Sequence, residues 1–229
     1  MPAVAFVSPK GGAGKTTASL LLALGLAERG HQVAMIDSDP NKPLVHWKQL
    51  PGAPERISVH PAPTLQDVPD AMREARRKSP DWFILDTEGS IRGALAFTAM
   101  RVDLVLTPLA GSKLEALQAV KAFEMVGEWG KRASRTLPHR CVLTRVPAAL
   151  RPNGLRAVVE ELRSRNIELL DTALIEKEAF RALFALGGDF EALEAHGVSG
   201  LDSARLNAAA FVDSVVQLVL RPEATPSES

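Results

Sequence analysis

The sequence predicts an α/β fold, a mostly parallel twisted sheet with helices on both faces. Short apolar runs that do not alternate with polar residues are typical of strands buried on both faces. Longer segments with helical spacing separate these runs, so strands and helices alternate along the chain. With 229 residues, of which 46% are hydrophobic and 24% charged, the chain is long enough to bury the core of such a fold.

The predicted elements follow one another from the first residues onward. Six apolar runs are predicted as strands: Val4–Val7, Val33–Ile36, Trp82–Leu85, Leu104–Leu106, Cys141–Thr144 and Ile167–Leu170. Seven segments are predicted as helices: 15–29, 64–78, 91–100, 113–129, 153–165, 176–186 and 203–219. The first helix is apolar almost all round, so it should be deeply buried. We predict one domain over 1–220 and a disordered polar tail over 221–229.

Composition and charge exclude several classes of protein. The 27 basic and 27 acidic residues cancel, which excludes a uniformly basic nucleic-acid coat and leaves only local patches. A single cysteine, Cys141, excludes an internal disulfide and fits a reducing, cytosolic setting. The longest uncharged apolar run, Ala18–Ala27, is too short to span a bilayer, and no targeting segment is visible. We therefore expect a cytoplasmic protein without a membrane role.

A glycine-rich loop joins the first predicted strand to the first predicted helix. Strand, glycine loop and helix in this order are the context that a phosphate-binding loop requires. Glycines allow backbone N–H groups to point at a polyphosphate, and the helix N-terminus adds a positive dipole end. We expect Lys15 to reach the β and γ phosphates and the Thr16 hydroxyl to bind Mg²⁺. The nucleotide-binding residues predicted from this loop are Gly11, Gly12, Ala13, Gly14, Lys15, Thr16 and Thr17; Lys10 joins them through the resemblance described below.

Two acidic clusters follow the second and third predicted strands. The first is Asp37-Ser38-Asp39-Pro40, and the second is Asp86-Thr87-Glu88-Gly89. Ligands of open α/β sheets bind beyond the carboxyl ends of the strands, so both clusters should face the glycine loop. Because Mg²⁺ keeps several waters, one or two carboxylates suffice to hold it.

The loop K-G-G-A-G-K-T-T, residues 10–17, resembles the deviant Walker A motif of the ParA/MinD ATPases, a group of P-loop NTPases. The D-S-D-P segment and Asp103–Pro108 resemble further stretches of small ParA-type proteins such as ParF. Leu44–Trp47, Arg145–Pro147 and Glu178–Leu183 resemble the VirC-type ParA relatives of conjugative DNA transfer. Two positions depart from the pattern: Asn41 replaces a frequent glutamine, and Glu88 lies where many relatives carry proline or glycine.

The resemblance implies ATP and Mg²⁺ as ligands, slow ATP hydrolysis and an ATP-bound homodimer. The implied catalytic residues are Lys10, which would reach the nucleotide of the other subunit, Lys15, and Asp39, which would hold the attacking water. Thr16, Asp37 and Asp86 are the implied magnesium residues, with Asp37 acting through water. Glu88 is an alternative to Asp39 for holding that water. An activator should accelerate turnover, because the chain has no clear arginine finger.

A basic region extends from Lys131 to Arg165, where nine basic residues accompany two glutamates. The resemblance implies nonspecific DNA binding by such residues in the C-terminal half, with salt-dependent contacts to phosphates. An ordinary solvated helix face is the alternative interpretation. The candidate DNA contacts are Arg156, Arg163, Arg165, Lys177 and Arg181.

The resemblance as a whole implies an ATP-dependent dimerisation switch that segregates or positions plasmid or chromosomal DNA. Its expected partners are a second copy, nonspecific DNA of the nucleoid, and a ParB-like or other adaptor. The cargo could instead be a protein cluster or a conjugative DNA-transfer complex. A metabolic enzyme similar to dethiobiotin synthetase is a lesser alternative. A relative of the nitrogenase iron protein is excluded, because Cys141 is alone.

Overall fold

A parallel sheet lies at the centre of the fold, in a computed structural model that describes residues 1–8, 11–64, 66–87, 102–132, 134–147 and 152–220. The described strands are β1 (Ala3–Phe6), β2 (Val33–Asp37), β3 (Ile57–Pro61), β4 (Trp82–Asp86), β5 (Leu104–Leu109) and β6 (His139–Leu143). The described helices are α1 (Lys15–Glu28), α2 (Pro43–Gln49), α3 (Val68–Arg76), α4 (Lys113–Arg132), α5 (Pro152–Ser164), α6 (Glu178–Leu186), α7 (Phe190–Ala195) and α8 (Leu201–Leu220).

The strands pair in the order β3-β2-β4-β1-β5-β6, and every pair is parallel, which confirms the predicted fold class. Strands β1, β2, β4 and β5 are buried along their whole length, as their uninterrupted apolar sequences predict. The register places Asp86 beside both Phe6 and Asp37. The carboxyl ends of β1, β2 and β4 therefore meet at one edge of the sheet.

Side chains of β1 alternate between two apolar layers. Val4 and Phe6 pack with α1, α2 and α6–α8 on one face, whereas Ala3 and Ala5 pack with α3 and α4 on the other. Helix α1 is buried on almost every side, as predicted. It packs closely on α8, since a Cβ on Gly25 would lie 2.6 Å from Val212 Cγ2.

Helix α8 is the one helix in the described part of the chain that is long and apolar enough to cross a membrane by length and composition. Its inner residues Phe211, Val212 and Val215 are fully buried in the protein core. Its outer face carries Asp213, which pairs with Arg29 at 2.8 Å. This distribution is typical of a core helix that covers one side of a sheet.

The structure differs from the predicted elements at four places. Strand β3 was not predicted, because only its first and fourth residues are buried and it ends in Pro61 at the sheet edge. Helices α2 and α7 were not predicted, because they are too short to show helical periodicity. The predicted strand Ile167–Leu170 was wrong: Leu169 forms an isolated bridge to Cys141. The predicted helix over 91–100 and the tail over 221–229 lie outside the described residues.

Candidate functional site

The glycine loop follows β1 and ends at Gly14, the residue that precedes the first turn of α1. Gly12 and Gly14 have φ angles of 83° and 82°, which glycine adopts at low cost. Lys15 is the first residue of the helix, and its side chain is only 8% exposed. Lys10, predicted to act across a dimer interface, lies outside the described residues. The described loop therefore has the geometry that a phosphate-binding turn requires.

The two residues that directly follow β6 hold the glycine loop through hydrogen bonds to its carbonyl groups. Thr144 Oγ1 donates a hydrogen bond to Ala13 O at 2.7 Å, and Arg145 Nη1 donates one to Gly12 O at 3.0 Å. Thr144 is 2% exposed, so its bond is shielded from water. Sequence reasoning did not find this contact, because it joins residues 131 positions apart.

Asp86 ends β4 beside the loop and is 1% exposed. Among the described residues, neither of its carboxylate oxygens has a partner with full hydrogen-bond geometry. Burial raises the pKa of Asp86 to about 7; the Thr16 hydroxyl and the Lys15 ammonium lower it, and Asp37 raises it further. A buried carboxylate with unused oxygens next to a hydroxyl is a donor set that fits Mg²⁺. The predicted pair Thr16 and Asp86 is thus brought together.

Asp37 uses its carboxylate to anchor the start of α2. Its Oδ2 accepts hydrogen bonds from the backbone of Leu44 at 2.9 Å and Val45 at 3.1 Å, and Oδ1 accepts one from Asp39 N at 3.2 Å. Burial raises the pKa of Asp37, although the three N–H groups lower it. Asp37 therefore fixes the segment that carries Asp39, and its water-mediated contact with Mg²⁺ stays a prediction.

Asp39 lies in a tight turn between β2 and α2. Its Oδ1 accepts a hydrogen bond from Asn41 N at 2.8 Å, and its carbonyl accepts one from Lys42 N at 2.9 Å. The carboxylate is close enough to raise the pKa values of both Asp37 and Asp86. The structure thus places the three predicted carboxylates in one electrostatic cluster. Glu88, the predicted alternative to Asp39, lies outside the described residues.

A cavity of about 380 Å³ opens beside the loop. Its lining consists of Gly12, Gly14, Thr16, Thr17, Thr144, Arg145, Leu174, Ile175, Glu176, Lys177, Phe180 and Arg181. Glu176 Oε1 lies 3.7 Å from Arg145 Nη2 and 3.4 Å from Arg181 Nη2, so charged groups border an otherwise partly apolar wall. Sequence reasoning did not identify the cavity, although two of the stretches that carried the VirC-type resemblance line it.

The helix that follows Asp39 is fastened to the α6–α7 turn. Trp47, on α2, is 1% exposed and donates its indole N–H to Gly188 O at 3.1 Å. Gly187, the residue before Gly188, has a φ angle of 83°, and a Cβ on it would lie 2.4 Å from Leu50 Cβ. Helix α2 is therefore held at its start by Asp37 and near its end by this turn.

The predicted DNA contacts fall into two groups. Arg156 and Arg165 pair with Glu160 and Glu161 on or beside α5, at 3.2 and 2.8 Å, and Arg163 lies in the last turn of that helix. The other two line the cavity: Lys177 Nζ donates to Ser203 Oγ at 3.0 Å, and Arg181 pairs with Glu176 and Glu178. Local acidic partners offset part of the positive charge in both groups.

Residues 1–219 match the protein family described as VirC1 protein. The protein ParA of Rhizobium radiobacter is 30% identical over 219 residues, covering 94% of this chain and 96% of that protein. The protein virC1 of the same organism is 28% identical and covers 80% of each chain. The maintenance of carboxysome distribution protein A of Halothiobacillus neapolitanus is 27% identical, covering 87% of this chain and 91% of that protein.

Solved structures share the fold at lower sequence identity. Apo McdA of Cyanothece has a TM-score of 0.71 and 14% identity, covering 94% of this chain and 99% of that one. A plasmid partition protein of Borrelia burgdorferi B31, bound to AMPPNP, has a TM-score of 0.68 and 15% identity, covering 94% and 98%. The septum site-determining protein MinD of Pyrococcus horikoshii, bound to Mg-ADP, has a TM-score of 0.66 and 17% identity, covering 95% and 96%.

Proposed function

The chain belongs to the VirC1 protein family, within the ParA/MinD-like ATPases, and we propose that it is an ATP-dependent dimerisation switch that hydrolyses ATP and positions a cargo. The observation that carries the proposal is the buried Asp86 carboxylate, whose oxygens have no full hydrogen bond within the described chain. It lies near Lys15 and Thr16 at the start of α1, where a polyphosphate and a divalent cation would balance the charge.

Each residue of the site has a proposed part in nucleotide chemistry. Lys15 would neutralise the β and γ phosphates, while Thr16 and Asp86 would hold Mg²⁺, with Asp37 reaching it through water. Bound Mg²⁺ would supply charge neutralisation at the phosphates. Asp39 orients the attacking water, because it lies on the turn that Asp37 and α2 hold in place. Phosphoryl transfer depends mainly on such positioning and electrostatic stabilisation.

We assign the base of the nucleotide to the cavity beside the loop. Its walls combine apolar surface from Leu174, Ile175 and Phe180 with the polar groups of Arg145 and Glu176. A volume of about 380 Å³ is within the range of small-molecule sites. Lys177 and Arg181 line this cavity, which supports a nucleotide role for them beside the DNA contact predicted from sequence.

The proposed switch depends on the γ phosphate. It would allow two subunits to close face to face, with Lys10 of each subunit reaching the nucleotide of the other. The dimer would double the number of basic residues that face DNA, chiefly Arg156, Arg163 and Arg165, and so raise affinity through avidity. Loss of the γ phosphate would release the dimer, as in other phosphate-held switches. We propose that this cycle runs in the cytoplasm, on the nucleoid, under an adaptor such as a ParB-like protein.

The cargo we propose is plasmid or chromosomal DNA. The names of the relatives include plasmid partition in Borrelia and carboxysome distribution in Halothiobacillus, so one fold serves proteins with different cargoes. The VirC1 match supports a second candidate, a conjugative DNA-transfer complex, because the VirC-type resemblance concerns that process.

Sedimentation velocity tests the switch. With Mg²⁺ present, wild-type protein should sediment as a monomer with ADP and as a dimer with a non-hydrolysable ATP analogue. Asp39→Ala should bind ATP, stall hydrolysis and remain dimeric with ATP itself, since it removes the water-positioning carboxylate and leaves Lys15, Thr16 and Asp86 in place. Asp202→Ala, at an exposed carboxylate on α8, should hydrolyse ATP as the wild type does. Identical sedimentation with both nucleotides would reject the switch, and unchanged turnover in Asp39→Ala would reject the role of Asp39.

A further inference from the structure

The two residues that hold the glycine loop from the end of β6 do more than pack against it. We propose that Thr144 and Arg145 are positioning residues, which turn the N–H groups of Ala13 and Gly14 toward a bound polyphosphate by holding two loop carbonyls away from it. The inference rests on the proposed function, because it requires the loop to bind phosphates.

The backbone of Thr144 is held in place by the sheet. Its backbone N–H donates to Leu109 O at 2.9 Å, which extends the pairing of β5 with β6 by one residue. Its buried hydroxyl then donates to Ala13 O at 2.7 Å. The loop lies close against this side chain, since a Cβ on Gly14 would be 3.4 Å from both Thr144 Cβ and Thr144 Oγ1. The sheet therefore sets the position of the Ala13 carbonyl.

The direction of a carbonyl determines the direction of the next N–H group. Both belong to one planar trans peptide, in which they point in opposite directions. Holding Ala13 O toward β6 turns the Gly14 N–H away from β6, and holding Gly12 O with Arg145 does the same for the Ala13 N–H. Within the described residues neither N–H donates a hydrogen bond. Consecutive N–H groups on one side of a loop form a concave anion site.

The two contacts differ in strength. Thr144 is buried, whereas the Arg145 side chain is 56% exposed and also lies 3.7 Å from Glu176. A hydrogen bond shielded from water restrains the peptide more firmly than one that water can replace. Thr144 should therefore account for most of the effect.

Inorganic tripolyphosphate with Mg²⁺ is a suitable probe, because it has no base and reports on the loop alone. Isothermal titration calorimetry at 10 °C should give a Kd about tenfold higher for Thr144→Val, the size expected for one lost buried hydrogen bond. Thr144→Ser retains the donor and should remain within about twofold of wild type. Arg145→Ala should raise the Kd by about two- to threefold.

Thr172→Val is the matched control. Thr172 Oγ1 lies 2.8 Å from Ser214 Oγ and 3.3 Å from Ala210 O, so this change also removes a threonine hydroxyl bond, but away from the loop. Both valine variants should lower the unfolding midpoint of the free protein. Only Thr144→Val should change the Kd for tripolyphosphate, which separates positioning from general stability.

The outcomes distinguish this inference from the proposed function. Wild-type protein that binds neither tripolyphosphate nor ATP would reject the proposed function itself. Wild-type binding with an unchanged Kd in Thr144→Val would reject only the positioning role, as would equal losses in Thr144→Val and Thr144→Ser. If Thr144→Val does not fold, the other two variants decide. An unchanged Kd for tripolyphosphate in Arg145→Ala, together with a large loss of affinity in Thr144→Ser, would overturn the inference.

Discussion

Replacing Asp86 by asparagine should stabilise the free protein and remove its response to magnesium. In EDTA no cation compensates the buried carboxyl group of Asp86, which has no full hydrogen bond among the described residues, and burial raises its pKa from 3.8 to about 7. A folded-state pKa above the unfolded value lowers stability as pH rises through this interval. The raised pKa therefore costs the wild type about 4 kcal/mol at pH 8, where the folded protein must hold the ionised group, and about 2 kcal/mol at pH 5, where mainly the unfolded chain gains by ionising. Asp86→Asn removes this cost.

Urea unfolding measures the prediction. In EDTA, Asp86→Asn should be more stable than wild type by up to about 4 kcal/mol at pH 8, with a smaller advantage at pH 5. Adding Mg²⁺ and ATP at a hundred times the Kd should stabilise wild type by about 3 kcal/mol and the variant by much less. Asp171→Asn, at an exposed carboxylate, should change stability by less than about 0.5 kcal/mol. An Asp86→Asn variant that is less stable in EDTA at pH 8 would refute the reasoning.

Two further predictions concern pH and backbone geometry. Burial lowers the pKa of His139 from 6.5 to about 3, so as the pH falls the unfolded chain takes up this proton before the folded protein does. Between pH 7.5 and 5 the free energy of unfolding, measured in urea, should therefore fall by about 2 kcal/mol more for wild type than for His139→Gln. A difference between the two proteins that does not change with pH would contradict this. Gly187→Ala should destabilise by about 3 kcal/mol or more in thermal unfolding, because its Cβ would lie 2.4 Å from Leu50 Cβ and 2.9 Å from Pro51 O. Gly197 also has a positive φ, 72°, but lies in open space, so Gly197→Ala should cost only about 1 kcal/mol; equal losses would show that contact with Leu50 and Pro51 does not matter.

Local sequence patterns were sufficient for the part of the site that one strand, one loop and one helix contain. The apolar run, the glycines and Lys15 lie within a few residues of each other, so their order alone predicts a phosphate-binding turn. The meeting of Asp37 and Asp86 was also predictable, because parallel strands bring their carboxyl ends to one edge.

The parts that were missed depend on contacts between distant residues. Thr144 reaches Ala13 across 131 positions, and Trp47 reaches Gly188 across 141. The hydrophobic pattern of a segment predicts its secondary structure, but it does not predict which distant residue a side chain contacts. Asp37 illustrates a different limit: its residue type predicts a contact with the metal through water, and the structure adds that it accepts three backbone N–H groups in the segment that leads into α2 and in its first turn. One carboxylate can serve both purposes, and its residue type alone does not indicate the second.

The indole of Trp47 gives the molecule an intrinsic optical reporter. Its ring is buried and bonded to Gly188 O, so its fluorescence should be blue-shifted while α2 rests on the α6–α7 turn. Separation of α2 from the α6–α7 turn would expose the indole ring to water and move its emission to longer wavelength. In a variant with Trp82 and Trp129 replaced by phenylalanine, which leaves Trp47 as the single indole, opening of the segment that carries Asp39 can therefore be followed in real time by stopped-flow mixing, without attaching a dye.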